Sequence, residues 1–318
     1  MESSADRPVW KTLLAFSMIY FVWGTTFFAI RVGVHEIPPF LMAAIRFLVA
    51  GGFLYGWMIA KGERSPTARQ WMGVCCVSFF IFVMDYGLLF WAEQRVPSGI
   101  AAVMLALIPL FMALSEFTFL RTQKLTARLA LALLTGICGV AVLMSRSLYL
   151  SGAPVDKAGA IALIVASASW SFGSVLTRKM EMPASKGMSS GAQMLVGGVF
   201  QSIVAGAAGE FRGFHSLAIS REAWFAVLYL IVFGSIIGFT AYVWLIHHES
   251  PTKVATYAYV NPVVAVLVGY FLGGESLGMR TVLGALFVLT SVVVITSTKP
   301  AQPVAVLSVG DPAKASEM

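Results

Sequence analysis

The stretch from Trp244 to Glu275, WLIHHESPTKVATYAYVNPVVAVLVGYFLGGE, repeats features of residues 91–120. At a constant offset of 153 positions, from 91 to 244, four residues of one stretch match four of the other: Trp91 and Trp244, Ala102 and Ala255, Pro109 and Pro262, Leu114 and Leu267. Apolar residues match by chance fairly often, so the tryptophan and the proline are the informative pairs. The two stretches indicate an internal duplication.

Both matching prolines lie within apolar runs. Pro109 lies in residues 100–115, and Pro262, preceded by Asn261, lies in residues 254–274. A proline inside a helix removes one backbone hydrogen bond and frees a carbonyl. Interruptions at corresponding places in two halves of a membrane transporter are the best sequence-level pointer to its binding site. The two prolines therefore predict helix breaks near a central site.

Composition restricts the class of protein. Hydrophobic residues make up 58% of the 318 and charged residues 12%, and the mean hydropathy is +0.82. Soluble domains contain about 25% charged residues, so we interpret the chain as an integral membrane protein. The net charge is +7. The lysines and arginines fall mainly in loops, where they set the orientation of the chain in the membrane, so no nucleic-acid partner is predicted. The three cysteines lie in apolar segments and indicate no disulfide framework.

The predicted fold is all-α, with ten transmembrane helices. Each apolar segment has about the length that crosses a bilayer. The predicted spans are 11–33, 39–60, 70–92, 98–119, 127–145, 157–179, 189–209, 222–246, 252–273 and 280–298. Lys and Arg outside the spans are concentrated on the side that carries both termini, which the positive-inside rule places in the cytoplasm. Residues 300–318 are predicted to form a disordered cytoplasmic tail.

The offset moves each segment forward by five spans, an odd number. Equivalent segments then cross the membrane in opposite directions, so residues 1–150 and 151–299 are predicted to form two inverted five-helix repeats. A weaker match agrees, because Trp23-Gly24-Thr25 in span one resembles Trp170 followed by Gly173-Ser174 in span six. Inverted repeats support alternating access to a site at their interface.

Specific motifs resemble the EamA family of the drug/metabolite transporter superfamily, and the resemblance covers nearly the whole chain to about residue 298. The residues that carry it are WGTTF (23–27), Arg46-Phe47, PSGIAA (97–102), WSFGS (170–174), ATYAYVNPVVA (255–265) and GGE (273–275). Within the family, the chain is similar in particular to the YedA-type inner-membrane transporters. The resemblance implies two five-span repeats, location in the inner membrane and efflux of amino acids or related small metabolites.

Charged residues inside spans are the first candidates for a binding or coupling site, because such charges are costly and usually functional. Asp85 lies within span three with no basic residue one helical turn away. Arg46 and Arg31 are the candidate opposite charges. In the functional interpretation, arginine holds a substrate carboxylate, or aspartate holds an amine or a proton. In the alternative, the charges form an ion pair that fixes helix packing.

Four aromatic residues lie beside glycine, charged or small polar residues, or the Asn-Pro pair, and are candidate cavity walls: Trp23, Tyr86, Trp170 and Tyr259. Ordinary helix packing explains each of them equally well. Asn261 is a stronger candidate, because its amide and the carbonyl freed by Pro262 offer hydrogen bonds inside the bilayer. Glu93 and Glu116, each near an arginine, and the interfacial pair His247 and His248 are weaker candidates.

Several chemistries lack support in the sequence. It contains no Gly-x-x-x-x-Gly-Lys phosphate loop and no His-Glu-x-x-His metal motif, so no cofactor or metal is predicted. Transport would then be secondary, driven by the substrate gradient or by protons. Two alternatives stay open: a membrane-embedded enzyme or lipid-modifying protein that uses Asp85, Arg46 and His247, and an uncoupled channel-like protein.

Overall fold

The computed structural model describes residues 9–96, 98–145, 156–212, 214, 219–273 and 278–297. The predicted tail at 300–318 lies outside them. Within this described part the secondary structure is helical, with no strand. We number the helical segments α1 to α10. They are α1 (Val9–Val34), α2 (Pro39–Ala60), α3 (Ala68–Glu93), α4 (Ser98–Leu105 and Ile108–Ser115, extended by Glu116–Leu120), α5 (Ala127–Leu143), α6 (Lys157–Lys179), α7 (Lys186–Ala207), α8 (Arg221–His248), α9 (Pro251–Val254 and Tyr257–Gly273) and α10 (Met279–Ser297).

Seven helices of the described residues are long and apolar enough to cross a membrane: α1, α2, α3, α4, α6, α8 and α10. The chain is therefore a multi-pass membrane protein, as its composition predicts. α5 is apolar but shorter, and α7 and α9 are outside the set of seven. The ten-span count stays a prediction.

Two antiparallel helix pairs contain glycines at their closest approach. In the α2–α7 pair, Gly51 faces the backbone at Leu195, and Gly191 faces the backbone at Tyr55. In the α5–α10 pair, Gly139 faces Val288. Residues early in one helix thus meet residues late in the other. Small residues permit this backbone approach, which drives helix association in lipid.

The remaining contacts follow one pattern in both halves. α3 packs on α6 as α8 packs on α1, and α4 packs on α6 as α9 packs on α1. The helices that take equivalent places, α3 and α8, α4 and α9, and α6 and α1, are five apart in chain order. The interior of the bundle lies between α1, α3, α4, α6, α8 and α9.

α4 and α9 are both interrupted. α4 is broken at residues 106–107, immediately before Pro109. The carbonyls of Met104 and Ile108 accept hydrogen bonds from Ser167 Oγ (3.3 Å) and Ser171 Oγ (3.1 Å) of α6. Hydroxyls of a neighbouring helix thus satisfy backbone groups near the break.

α9 departs from the predicted position of its break. Pro262 lies inside the helix Tyr257–Gly273, and the interruption lies earlier, at residues 255–256. Membrane helices tolerate proline where neighbours satisfy the freed backbone groups. The four-residue helix Pro251–Val254 is thereby separated from the rest of α9.

Candidate functional site

A cavity of about 70 Å³ lies in the bundle interior, which is enough for several water molecules. Its walls come from both halves of the chain. It is lined by Trp23, Thr26, Ile30, Arg46, Asp85, Tyr86, Leu89, Leu105, Ile108, Trp170, Tyr257 and Asn261. The predicted candidates Asp85, Arg46, Asn261, Trp23, Tyr86 and Trp170 are therefore brought together.

The cavity lies toward one end of the bundle. We call the end at which α1 begins and α8 ends the proximal end, since these segments pack together. The opposite end is the distal end. The lining residues of α1 and α3 fall in the later parts of those helices, which run to the distal end. Arg46 lies in the first half of α2, which starts at the distal end. The cavity is thus displaced toward that end.

Arg46 is buried, with 2% of its surface exposed. Its Nε donates a hydrogen bond to Ser235 Oγ on α8 (2.7 Å). The guanidinium carbon lies 4.9 Å from the ring centroid of Phe47 and 5.4 Å from that of Tyr86, within cation–π range. Within the described residues, Nη1 has no hydrogen-bond partner. Because a buried donor without a partner is costly, this atom is suited to binding an acceptor on a ligand.

Asp85 lies in a π-helical stretch of α3, Phe79–Gly87, and is 4% exposed. Such wide turns are frequent at functional sites. Among the side chains that the structure describes, no hydrogen bond or ion pair to its carboxylate is found. Arg46 and Asp85 therefore line one cavity without a direct salt bridge between them. The side chain of Arg31 lies outside the described part, so its role stays a prediction.

Aromatic rings close the proximal side of the cavity. Trp23 contacts Trp170 edge to face, with 5.7 Å between ring centroids, and it contacts Tyr257 similarly at 4.9 Å. Tyr242 packs behind them, 4.9 Å from Trp170, and shares a 2.5 Å hydrogen bond with Ser174. Trp23 Nε1 donates to Gly234 O (3.0 Å), which ties α1 to α8. This layer separates the cavity from the proximal end.

Asn261 connects α9 to α1. In the amide orientation that satisfies its surroundings, the side-chain nitrogen donates to Tyr20 O (3.0 Å) and Tyr257 O (3.1 Å). The Tyr20 hydroxyl also shares a 2.7 Å hydrogen bond with Thr256. The polar groups near the α9 break are thus bonded to α1, as those near the α4 break are bonded to α6.

Tyr259 does not line the cavity. Its hydroxyl donates to Leu133 O on α5 (3.0 Å), and its ring packs in a second apolar cluster between α5, α9 and α10. Tyr257 lines the cavity instead. Helical spacing explains the difference, because Tyr257 is four residues from Asn261 and shares its face, whereas Tyr259 is two residues away. That spacing was available in the sequence and could have identified Tyr257.

The weaker candidates lie outside the cavity. His247 Nδ1 lies 2.7 Å from Val243 O, and His248 stacks on Trp244, both near the proximal end of α8. Glu116 hydrogen-bonds to Ser250 and Thr252 rather than pairing with Arg121. No cluster of His, Cys, Asp and Glu that could hold a metal occurs within the described residues.

Comparison with known proteins identifies relatives along nearly the whole chain. The profile of the EamA-like transporter family matches twice, at residues 10–145 and 157–297. The chain is 39% identical over 303 residues to the inner membrane transporter YedA of Escherichia coli K12, covering 93% of this chain and 94% of that protein. It is 29% identical over 280 residues to the protein PecM of Dickeya dadantii, covering 86% and 88%.

A solved structure, named only "Crystal structure of protein", has the same fold and superposes with a TM-score of 0.72. The sequence identity is 20%, and the match covers 90% of this chain and 97% of that one. At this identity the likeness concerns the fold.

Proposed function

The chain belongs to the EamA-like transporter family, and from this membership we propose that it is a secondary transporter that exports amino acids or related small metabolites. One observation carries the proposal: Arg46 and Asp85 line a single cavity, and among the described residues they are not paired with each other. A zwitterion offers a carboxylate to the free guanidinium nitrogen and an ammonium to the aspartate. The apolar and aromatic walls are typical of small-molecule sites.

The proposed topology has ten spans in two inverted repeats, with both termini in the cytoplasm. The double match to the family profile at 10–145 and 157–297 supports two repeats. The antiparallel α2–α7 and α5–α10 pairs support opposite orientations, because each pair joins helices five apart in chain order. In this topology, the proximal end faces the cytoplasm and the cavity lies toward the periplasm.

The proposed mechanism is alternating access, with protons as the coupling ion. Asp85 is buried and lacks a basic partner among the described side chains, so its charge depends on what occupies the cavity. A carboxylate in this setting can take up either a proton or a substrate ammonium. Competition between the two couples proton entry to substrate exit.

The test is uptake of a labelled amino-acid panel into proteoliposomes, with and without an imposed proton gradient. We expect saturable flux for the unmodified protein, flux insensitive to the gradient for Asp85→Asn, and weakened substrate binding for Arg46→Ala. Matched controls are Asp156→Asn, which changes a helix cap outside the cavity, and Arg128→Ala at an exposed position. Both controls should transport normally.

Other outcomes would overturn parts of the proposal. If no amino acid is transported, amino-acid export is wrong. If Asp85→Asn, Arg46→Ala and the controls transport equally, the two charges are structural. Counterflow separates a carrier from a channel, because only a carrier accelerates uptake of label when unlabelled substrate is inside. The enzyme alternative requires acid and base groups to converge, yet His247 lies near the proximal end and away from Asp85.

A further inference from the structure

Glu116 is a buried carboxylate outside the cavity. It lies at the end of Ile108–Ser115 in α4, at the proximal end, and only 1% of its surface is exposed. Within the described part of the chain, it forms no ion pair within 4 Å. The guanidinium of Arg178 on α6 interacts with it electrostatically from beyond that distance. A buried charge is expensive unless hydrogen bonds compensate for lost water.

Most of the hydrogen bonds to the Glu116 carboxylate come from the other half of the chain. Ser250 Oγ donates to both carboxylate oxygens (3.1 and 2.8 Å), and Thr252 donates to Oε2 through its backbone nitrogen (3.0 Å) and its Oγ1 (2.7 Å). Thr122 Oγ1 adds one local bond (2.9 Å). Hydrogen bonds to an ionised acceptor are about twice as strong as neutral ones. Glu116 therefore fastens α4 to the start of α9.

A turn lies between the segment that Glu116 holds and the rest of α9. Pro251–Val254 forms a four-residue helix, and α9 is interrupted at residues 255–256 before it resumes at Tyr257. Such interruptions are positions where a backbone can rotate during closure. In this structure the turn is bridged by hydrogen bonds from Ala255 N to Pro251 O (2.9 Å) and from Thr256 N to Lys253 O (3.2 Å).

The equivalent positions in the sequence lack these groups. By the offset of 153, Gly269 corresponds to Glu116, and Pro97 and Gly99 correspond to Ser250 and Thr252. Neither glycine nor proline supplies a carboxylate or a hydroxyl. At these three positions the sequence therefore does not repeat the groups that hold Glu116.

From these contacts we infer that Pro251–Val254 is the cytoplasmic gate of the transporter and that Glu116 is its lock. The inference rests on the proposed transport function. It assigns this structure to the conformation of the transporter in which the cytoplasmic gate is closed. With the lock closed, the cavity is reached from the distal end. Opening requires the Ser250 and Thr252 bonds to break, and water entering the gate rehydrates the carboxylate.

Cysteine accessibility tests the lock without needing a substrate. Cys75, Cys76 and Cys138 are replaced by serine, and Ala255, which is fully buried and directly follows the gate, is replaced by cysteine. A membrane-impermeant methanethiosulfonate reagent is then applied from the cytoplasmic face of membrane vesicles. We expect Glu116→Ala and Glu116→Gln to raise the labelling rate on the order of tenfold, because charge-assisted bonds are lost.

Thr252→Val gives an independent variant, since it removes one bond and leaves the carboxylate in place. It should raise the rate by less than Glu116→Ala, and the combined variant should equal Glu116→Ala alone. Glu36→Gln at the distal end is the control. Unchanged labelling in Glu116→Ala protein that remains monodisperse and folded would overturn the lock. Faster labelling without transport of any amino acid would retain the lock and reject the proposed cargo.

Discussion

The indole rings of Trp23 and Trp170 meet edge to face, with 5.7 Å between their centroids, and both line the cavity. Trp23 lies on α1 and Trp170 on α6, the first helices of the two family matches. Residues in matching motifs of the two halves therefore meet at the site. Under the proposed inverted repeat, this contact joins the two halves at their interface, where alternating access requires the substrate to bind.

We expect Trp23→Phe to reduce both stability and transport. The change keeps a ring but removes the hydrogen bond to Gly234 O, which joins α1 to α8. The free energy of unfolding should fall by about 1 kcal/mol, and the half-saturation concentration should rise. Trp10→Phe is the matched control, because Trp10 lies on the same helix with 61% of its surface exposed. Equal effects of the two substitutions would contradict the prediction.

Ser235 positions Arg46 through its hydrogen bond to Nε. Ser235→Ala should let the guanidinium move and raise the half-saturation concentration roughly threefold to tenfold. The maximal rate should change little, because Arg46 itself is retained. Ser202→Ala serves as the control, since that hydroxyl bonds to Gly198 O on its own helix. A fall in maximal rate alone would indicate that Ser235 acts elsewhere in the cycle.

Tyr257 and Tyr259 should respond differently to substitution. Tyr257 lines the cavity, so Tyr257→Leu is expected to weaken substrate binding several-fold. Tyr259 donates to Leu133 O between packed helices, so Tyr259→Phe should lower the melting temperature and leave the half-saturation concentration unchanged. Transport kinetics and thermal unfolding in detergent are measured on both. The reverse pattern would exclude Tyr257 from the site.

Much of the architecture could be predicted because local signals mark the helix ends. The predicted limits 39–60 and 157–179 agree with α2 and α6, since Pro39 starts one helix and the Asp156 side chain caps the other. The position of the α9 break could not be predicted from Pro262 alone. Whether a proline breaks a membrane helix depends on the neighbours that satisfy its backbone, and those are tertiary contacts.

Site residues could be predicted where their chemistry is unusual for a bilayer. Asp85 and Arg46 are charged residues in apolar spans, and both line the cavity. Ile30, Leu89 and Leu105 also line it, but nothing in an apolar sequence distinguishes a lining leucine from a lipid-facing one. The partners of Glu116 were missed for a related reason. Arg121 is close in sequence, whereas Ser250 and Thr252 approach only after the halves pack.

The distal loops contain a pH-sensitive contact between Glu36 and Ser220. Ser220 donates to the Glu36 carboxylate through its backbone nitrogen (2.7 Å) and its Oγ (2.6 Å), and these bonds lower the pKa of Glu36 below its usual value of 4.5. Because the folded-state pKa is lowered, the stabilisation is present above the unfolded-state pKa and is lost as pH falls through the folded one.

We therefore expect Glu36→Gln to melt below the unmodified protein at neutral pH, with the difference vanishing once the pH falls below the lowered pKa of Glu36. The difference should be small, because Glu36 is exposed. Glu63→Gln in an exposed loop is the control. A difference that persists unchanged at acid pH would show that the contact does not depend on the charge of Glu36.

Gly51 and Gly52 provide the sharpest test of the helix packing, because they are neighbours on α2 with opposite surroundings. A methyl group added at Gly51 would lie 2.8 Å from the Cα atom of Leu195 on α7, whereas one added at Gly52 would meet nothing within 4 Å. Backbone atoms cannot rotate away as a side chain can, so Gly51→Ala must separate the two helices. We expect it to cost about 1–3 kcal/mol. Gly52→Ala should be neutral or stabilising by roughly 0.5–1 kcal/mol, because alanine restricts the unfolded chain more than glycine does.

Thermal unfolding of both variants in one detergent measures the difference. Comparable melting temperatures would mean that α2 and α7 do not approach through Gly51, and the antiparallel pairing that supports the inverted repeat would lose its main contact.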